Sequence, residues 1–353
     1  MSSNGFNPNA PALPGAGIFG LPSNPEQDQV VCIPVPWDAT TSYRSGTAGG
    51  PTAILNASKQ VDLFDLDVDR PYQAGIHLLP ISEELTRQNQ SARRLALPII
   101  EAGGEIGGDP ALAAALTQVN DLCNGMNRWV EAKVSELLAQ NKIPILVGGD
   151  HSTPFGAIAA ASQAFPGIGL LQIDAHLDLR LAYEGFTWSH ASITRNVADR
   201  LPGVSRIIQV GIRDFCQDEL EFAESTQGKI VIHFDTDLSR RRLEGGNWKE
   251  TVDTILAALP EQVWITFDID GLDPSLCPHT GTPVPGGLSY QEAIYLISSV
   301  AQSGRRIIGC DLNEVYPGAQ SETEWDANVG ARVLYQMIAW SLVSQGRCRQ
   351  RSR

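Results

Sequence analysis

The sequence predicts an α/β protein: a three-layer α/β/α sandwich around a central, mainly parallel sheet. Three observations carry that prediction. Short, near-continuous apolar runs rich in β-branched residues recur along the chain, as parallel strands covered on both faces require. Longer stretches with helical spacing alternate with them, the pattern that builds a parallel sheet. The 353 residues, 42% of them hydrophobic, suffice to bury one large core.

The elements follow in chain order. Residues 1–28 form an irregular arm rich in Asn, Pro, Gly and Ala. The arm lacks a basic start followed by an apolar stretch, so it does not read as a signal peptide. One domain is expected over 29–353, because no repeat or linker divides it. Strands are expected at Val30–Val35, Ile143–Val147, Gly169–Ile173, Ile207–Val210, Ile230–Phe234, Val263–Phe267 and Ile307–Cys310. The clearest helix begins at Asp109-Pro110, an N-cap followed by proline at the first helical position. Leu112, Leu116, Val119, Leu122, Met126, Val130, Val134 and Leu137 carry its apolar stripe as far as Gln140. Further helices are expected over Thr153–Ala164, Trp248–Ala258, Tyr290–Ser303 and Asn328–Ser344. Ala102–Pro110, with four glycines, reads as a loop.

Charge narrows the function. The chain carries 26 Lys and Arg against 40 Asp and Glu, a formal charge of −14. Such a surface repels nucleic acid and anionic lipid and suits a small cationic substrate. No apolar run approaches the roughly 18 residues that cross a bilayer. The six cysteines (Cys32, Cys123, Cys216, Cys277, Cys310 and Cys348) show no CxxC pairing and read as reduced thiols of a cytoplasmic protein.

In open parallel sheets ligands bind beyond the carboxyl ends of the strands, so the residues just after each apolar run matter most. After Ile143–Val147 comes Gly148-Gly149-Asp150-His151-Ser152. After Gly169–Ile173 comes Asp174-Ala175-His176-Leu177-Asp178, and after Val263–Phe267 comes Asp268-Ile269-Asp270-Gly271-Leu272-Asp273-Pro274. Side chains two apart on an extended chain point the same way, which would gather Asp174, His176 and Asp178, and likewise Asp268 and Asp270. Crowded carboxylates raise one another's pKa unless positive charge sits among them. Four Asp and two His without thiolate suit a pair of borderline divalent cations.

These motifs, in this order, resemble the arginase/agmatinase ureohydrolase family. Ser42-Tyr43-Arg44-Ser45-Gly46-Thr47 is similar to the family's N-terminal signature, Thr280-Gly281-Thr282-Pro283-Val284-Pro285-Gly286-Gly287-Leu288 resembles its agmatinase branch, and the likeness spans about Val30 to Ser344. The resemblance implies an arginase-like fold and an arm followed by a single ureohydrolase domain. It also implies two divalent ions per subunit, Ni2+ or Mn2+, and a homotrimer or homohexamer. It places one ion on His151, Asp174, Asp178 and Asp268 and the other on His176, Asp174, Asp268 and Asp270, with Asp174 and Asp268 bridging. It gives His190 the role of proton shuttle and Glu314 a bidentate grip on the guanidinium. The implied reaction is hydrolysis of a guanidino group to urea by a metal-bridging hydroxide.

The stretch after the second motif, Leu179 to Gly185, departs from the arginase pattern, which disfavours arginine. Trp37, Phe186 and Trp188 are expected to close the pocket around a short substrate, with Thr41 and Trp188 as substrate contacts. The arm, with Ile18-Phe19-Gly20-Leu21-Pro22, and Trp37 to Tyr43 resemble the branch that contains guanidine hydrolases, and that resemblance favours free guanidine, which would give urea and ammonia. Agmatine and other small guanidino acids or amines are the alternative. A one-zinc deacetylase and a non-catalytic metal-binding protein stand further off.

Overall fold

Within the described residues, eight strands form one sheet in which every neighbouring pair is parallel. The computed structural model describes residues 6–13, 15–318 and 324–352, so residues 1–5 and 14 of the expected arm lie outside it. The strands are β1 (Val30–Pro34), β2 (Ile76–Leu78), β3 (Ile143–Val147), β4 (Ile168–Ile173), β5 (Val204–Ile212), β6 (Ile230–Phe234), β7 (Gln262–Asp268) and β8 (Arg306–Asn313). Their order across the sheet is β2-β1-β3-β8-β7-β4-β5-β6.

The helices are α1 (Gly50–Ser58), α2 (Glu83–Glu101), α3 (Pro110–Ala139), α4 (Phe155–Ala164), α5 (Ile193–Arg200), α6 (Gln217–Ser225), α7 (Asp235–Leu243), α8 (Trp248–Ala258), α9 (Tyr290–Gln302) and α10 (Trp325–Ser344). Strand alternation divides the core in two. Val30 and Cys32 of β1 join the apolar cluster that holds Ile54 of α1, Ile255 of α8, Leu296 of α9 and Leu334 of α10. Val31 and Ile33 join the cluster that holds Leu85 of α2, Val130 of α3, Ile158 of α4 and Val197 of α5. Both faces of the sheet are therefore dry, which is the expected three-layer sandwich.

Among the described strands and α-helices, β2, α1, α2, α5, α6 and α7 were not expected from the sequence. The edge strand β2 has only three residues, too few to show a period. The helix α2 buries Leu85, Asn89, Ala92, Ala96 and Ile99 at helical spacing, but its stripe is built mostly from small or polar side chains. Asn89 is buried because it pairs with Asp38, accepting from the Asp38 amide (2.9 Å) and donating to its carboxylate (3.0 Å). The arm meets its own chain: Ile18, Phe19 and Leu21 are buried. The Phe19 ring lies 5.0 Å from Tyr335, and its amide donates to Ser58 Oγ at 2.9 Å. No helix among the described residues is long and apolar enough to cross a membrane.

The strand order positions the site. β3, β8, β7 and β4 are neighbours in the middle of the sheet, and their carboxyl ends carry His151, Glu314, Asp268 and Asp174 in turn. Gly148 and Gly149 let β3 leave the sheet between two walls. A Cβ on Gly148 would strike Asn313 and Thr153, and one on Gly149 would strike the Trp37 backbone. Gly149→Ala should therefore cost about 1–3 kcal/mol, as overpacking of a filled core does. Thermal unfolding should show a lower midpoint, whereas Gly125→Ala, whose Cβ would meet only the Arg128 side chain at 3.9 Å, should gain no such clash.

Candidate metal centre

Main-chain bonds lace the ends of β3 and β8 together. The Glu314 amide donates to Gly149 O (2.7 Å) and the Gly148 amide to Leu312 O (2.9 Å). The His151 amide donates to Glu314 Oε1 at 3.1 Å, which sets the two side chains at one point of the rim. Past β4, Asp174 is held from three sides. Gln172 Nε2 donates to its Oδ2 (2.8 Å) and the His176 amide to its Oδ1 (2.6 Å), while its own amide donates to Val210 O (3.1 Å).

The convergence does not come from an extended chain. Asp178 sits at φ 54°, so the segment turns back and carries its carboxylate toward His151. Past β7 the chain enters a short 3-10 turn, Ile269–Gly271, in which Asp268 Oδ1 caps the Asp270 amide (2.9 Å). Gly271 permits that turn, because a Cβ there would stand 2.7 Å from the Asp174 amide nitrogen.

The six expected ligands meet. His151 Nδ1 lies 2.9 Å from Asp174, 3.1 Å from Asp178 and 3.4 Å from Asp268. His176 Nδ1 lies 3.1 Å from Asp270 and 3.6 Å from Asp174. Two groups, His151-Asp174-Asp178 and Asp174-His176-Asp270, have ligand atoms spaced to hold an ion, and Asp174 belongs to both. Asp268 reaches the first group through its 3.4 Å approach to His151.

The hydrogen bonds around His151 show that the donor set fits a cation. Thr266 Oγ1 gives its one proton to Asp311 Oδ1 (2.7 Å) and so accepts from His151 Nε2 (2.8 Å). A proton is thereby placed on Nε2, which leaves a lone pair on Nδ1 in the neutral imidazole, as the outer hydrogen bond of a metal-bound histidine does. That buried Nδ1 has no hydrogen-bond partner and looks onto three carboxylates. A lone pair facing carboxylates is repulsive unless a cation lies between them. Burial and then the charge of Asp174 push Asp178 up to about 7. Burial, followed by Asp270, Asp174 and Glu314, drives Asp268 well above the usual carboxylate range. Both shifts state the same need for positive charge.

A cavity of about 220 Å³ opens over this cluster, with His151, His176, Asp178 and Asp268 in its floor and His190, Ser42, Arg180 and Asp214 in its wall. His190 Nδ1 stands 3.3 Å from Glu314 Oε1, and its Nε2 stands 3.4 Å from Ser42 Oγ. Burial opposes a charge on His190, but the hydrogen bond and charge of Glu314 outweigh it and hold the imidazole above its ordinary pKa. Glu314 is buried at φ 61°. Its Oε1 faces His151 and His190, so only Oε2, which has no partner, is left for a ligand. The expected two-oxygen grip is thus reduced to one oxygen.

Two expected substrate contacts lie elsewhere. The Thr41 hydroxyl donates to Asp38 O (3.0 Å) within its own turn. Trp188 packs on Phe155, centroids 4.7 Å apart, beneath Arg200. Neither lines the cavity, and Trp37 and Phe186 are fully buried core. The supporting residues Gln172 and Thr266 escaped the sequence reading, although each stands two residues before an expected ligand and so faces the same side of its strand.

Residues 28–339 match the arginase family along most of their length. The chain belongs to the arginase family. An N(1)-aminopropylagmatine ureohydrolase of Thermus thermophilus is 31% identical over 324 residues, covering 91% of this chain and 93% of that one. An agmatinase of Halalkalibacterium halodurans is 28% identical, with 90% and 94% covered. Among solved structures, a hypothetical agmatinase from Burkholderia thailandensis superposes with a TM-score of 0.70 at 23% identity, covering 96% and 93% of the two chains. Family membership makes the chain a ureohydrolase, acting on C–N bonds of amidino groups.

The relay behind His151 generates a prediction. Thr266→Val keeps the shape but removes the acceptor for Nε2, so metal affinity should fall about 10–100-fold. Equilibrium dialysis with metal analysis measures this, and unchanged affinity would show that the relay does not set the imidazole.

Proposed function

We propose that this chain hydrolyses the guanidino group of a small cationic compound to urea, using two divalent ions, nickel or manganese. His151, Asp174, Asp178 and Asp268 would hold one ion. His176, Asp174, Asp268 and Asp270 would hold the other. When bound, such a pair lowers the pKa of water from about 15.7 toward ~7 and offers Lewis-acid charge at the reacting carbon.

The observation that carries the guanidino reading is Glu314 Oε2, a buried oxygen without a partner beside the ligand cluster. It accepts one guanidinium N–H and orients the planar group. Gly281 leaves room for this, since a Cβ there would stand 3.1 Å from that oxygen. His190 holds a proton against Glu314 on one side and opens to the cavity on the other, where it delivers that proton to the departing nitrogen.

A guanidino amine with a cationic tail, of agmatine type, is the first reading for the substrate. Trp37, Phe186 and Trp188 lie in the core, which removes their role as a lid over free guanidine. Asp214 stands in the cavity wall with its side chain 66% exposed, 4.0 Å from His176 Nε2, and offers the tail an acceptor. Relatives named for agmatine and aminopropylagmatine support this reading. Free guanidine is the second reading, favoured by Arg180. Its guanidinium lines the same wall and repels a long cationic tail, although Glu219 partly offsets it at 3.7 Å. An assembly of three or six subunits belongs to the proposal, and sedimentation velocity checks it.

Asp174→Ala should abolish urea release and leave well under one metal ion per chain, and near-normal metal content would remove Asp174 from both sites. His190→Ala should keep its metal and lose about 10²–10⁴ in kcat; a drop of less than about threefold would rule out the proton-delivery role. A urea assay over agmatine, aminopropylagmatine, free guanidine and arginine decides the substrate. In the first reading Asp214→Asn lowers kcat/KM for agmatine about tenfold, mostly through KM. Equal activity of both forms on agmatine would remove Asp214 as the acceptor of the tail, and turnover of free guanidine well above that of agmatine would shift the assignment to free guanidine.

A further inference from the structure

A second cleft, of about 720 Å³, lies at the opposite end of the sheet. Lys142 immediately precedes β3, Arg306 begins β8, and Arg347 follows α10, so all three cations come together beneath the amino ends of the central strands. In a chain of formal charge −14 these basic groups are half-buried, and none forms an ion pair among the described residues. Their hydrogen bonds go to neutral oxygens. Lys142 donates to Pro25 O, Arg347 to Asn141 Oδ1 (2.9 Å) and Arg306 to Gln345 Oε1 (3.4 Å).

Two carboxylates also line the cleft. Asp28 accepts the Asn24 amide (2.8 Å) and closes its own turn, while Glu26 is exposed at the edge. The carboxyl ends of α3 and α10 point here and favour cations, which accounts for tolerance of one or two. They do not remove the repulsion between two guanidinium groups: burial, followed by the charge of Arg306, holds Arg347 below its ordinary pKa. Planar guanidinium forks without carboxylate partners match the paired oxygens of phosphate and carboxylate groups. The side-chain amides of Gln27 and Gln29 add donors on the facing wall.

We propose that this cleft is a second ligand site, for a small dianion of phosphate or dicarboxylate type, separated by the length of the strands from the metal-binding rim. It does not rest on the identity of the guanidino substrate. Titration calorimetry of the metal-loaded full chain in low-salt buffer, with inorganic phosphate and separately with succinate, tests it. Saturable binding of one dianion per chain is expected, weakened at least tenfold by Arg306→Gln or Arg347→Gln and also by Lys142→Met should either arginine variant fail to fold. Binding of phosphate alone identifies an oxyanion site, and binding of succinate alone a dicarboxylate site. Absence of saturable binding by both, or binding that folded variants leave unchanged, overturns the proposal.

Discussion

Like-charge crowding is the constraint on which the rest of this structure depends. Asp174, Asp178, Asp268, Asp270 and Glu314 are all buried, and the imidazoles of His151, His176 and His190 are the basic side chains set directly against them. Buried carboxylates without counter-charge are expensive, and proteins tolerate them where an ion repays the desolvation. The scaffold is arranged to keep them together regardless. Four neighbouring strands supply the groups, main-chain bonds lace the strand ends, and glycines at 148, 149 and 271 remove the side chains that would hold the strands apart.

Behind that cluster lies a layer of neutral hydrogen bonds that gives each ligand one orientation. Gln172 donates to Asp174 and accepts from Thr194 (2.7 Å) and Gln209 (2.8 Å). Asp311 accepts from Thr266, Trp264 (2.5 Å) and Asn313 (2.5 Å). A polar network this deep is stable only when its members are satisfied. Most of them are, although Gln209 Oε1 and Asp150 Oδ2 lack a partner. Two further unsatisfied atoms, His151 Nδ1 and Glu314 Oε2, are those a bound ion and a substrate would complete.

Much of this was legible in the sequence, for identifiable physical reasons. A strand covered on both faces writes itself as an apolar run, so Ile143–Val147 and Ile230–Phe234 were found with their bounds intact. Ligands cluster after such runs because backbone groups there are free of the ladder. The order of strands across the sheet was not legible, since nothing local in β3 says that β8 will lie beside it. α2 stayed hidden because Asn89, Ala92 and Ala96 fill the middle of its buried face between Leu85 and Ile99. The aromatic residues misled for a related reason: Trp188 and Phe186 have the bulk of a pocket lid, and bulk alone does not tell a lid from core.

One feature of the strand order reaches beyond the site. β3 and β4 are consecutive in the chain, yet β7 and β8 lie between them. The residues before Gln262 hold no strand that joins β3 to β4, so they leave a gap of two strands, each about 4.8 Å wide, in the middle of the sheet. The gap closes only when the C-terminal third arrives, bringing Asp268, Asp270 and Glu314 with it. On a ribosome the ligands of β3 and β4 are therefore exposed long before their partners exist. Completion of the ligand cluster thus depends on the last two strands of the chain, however the earlier ones collapse.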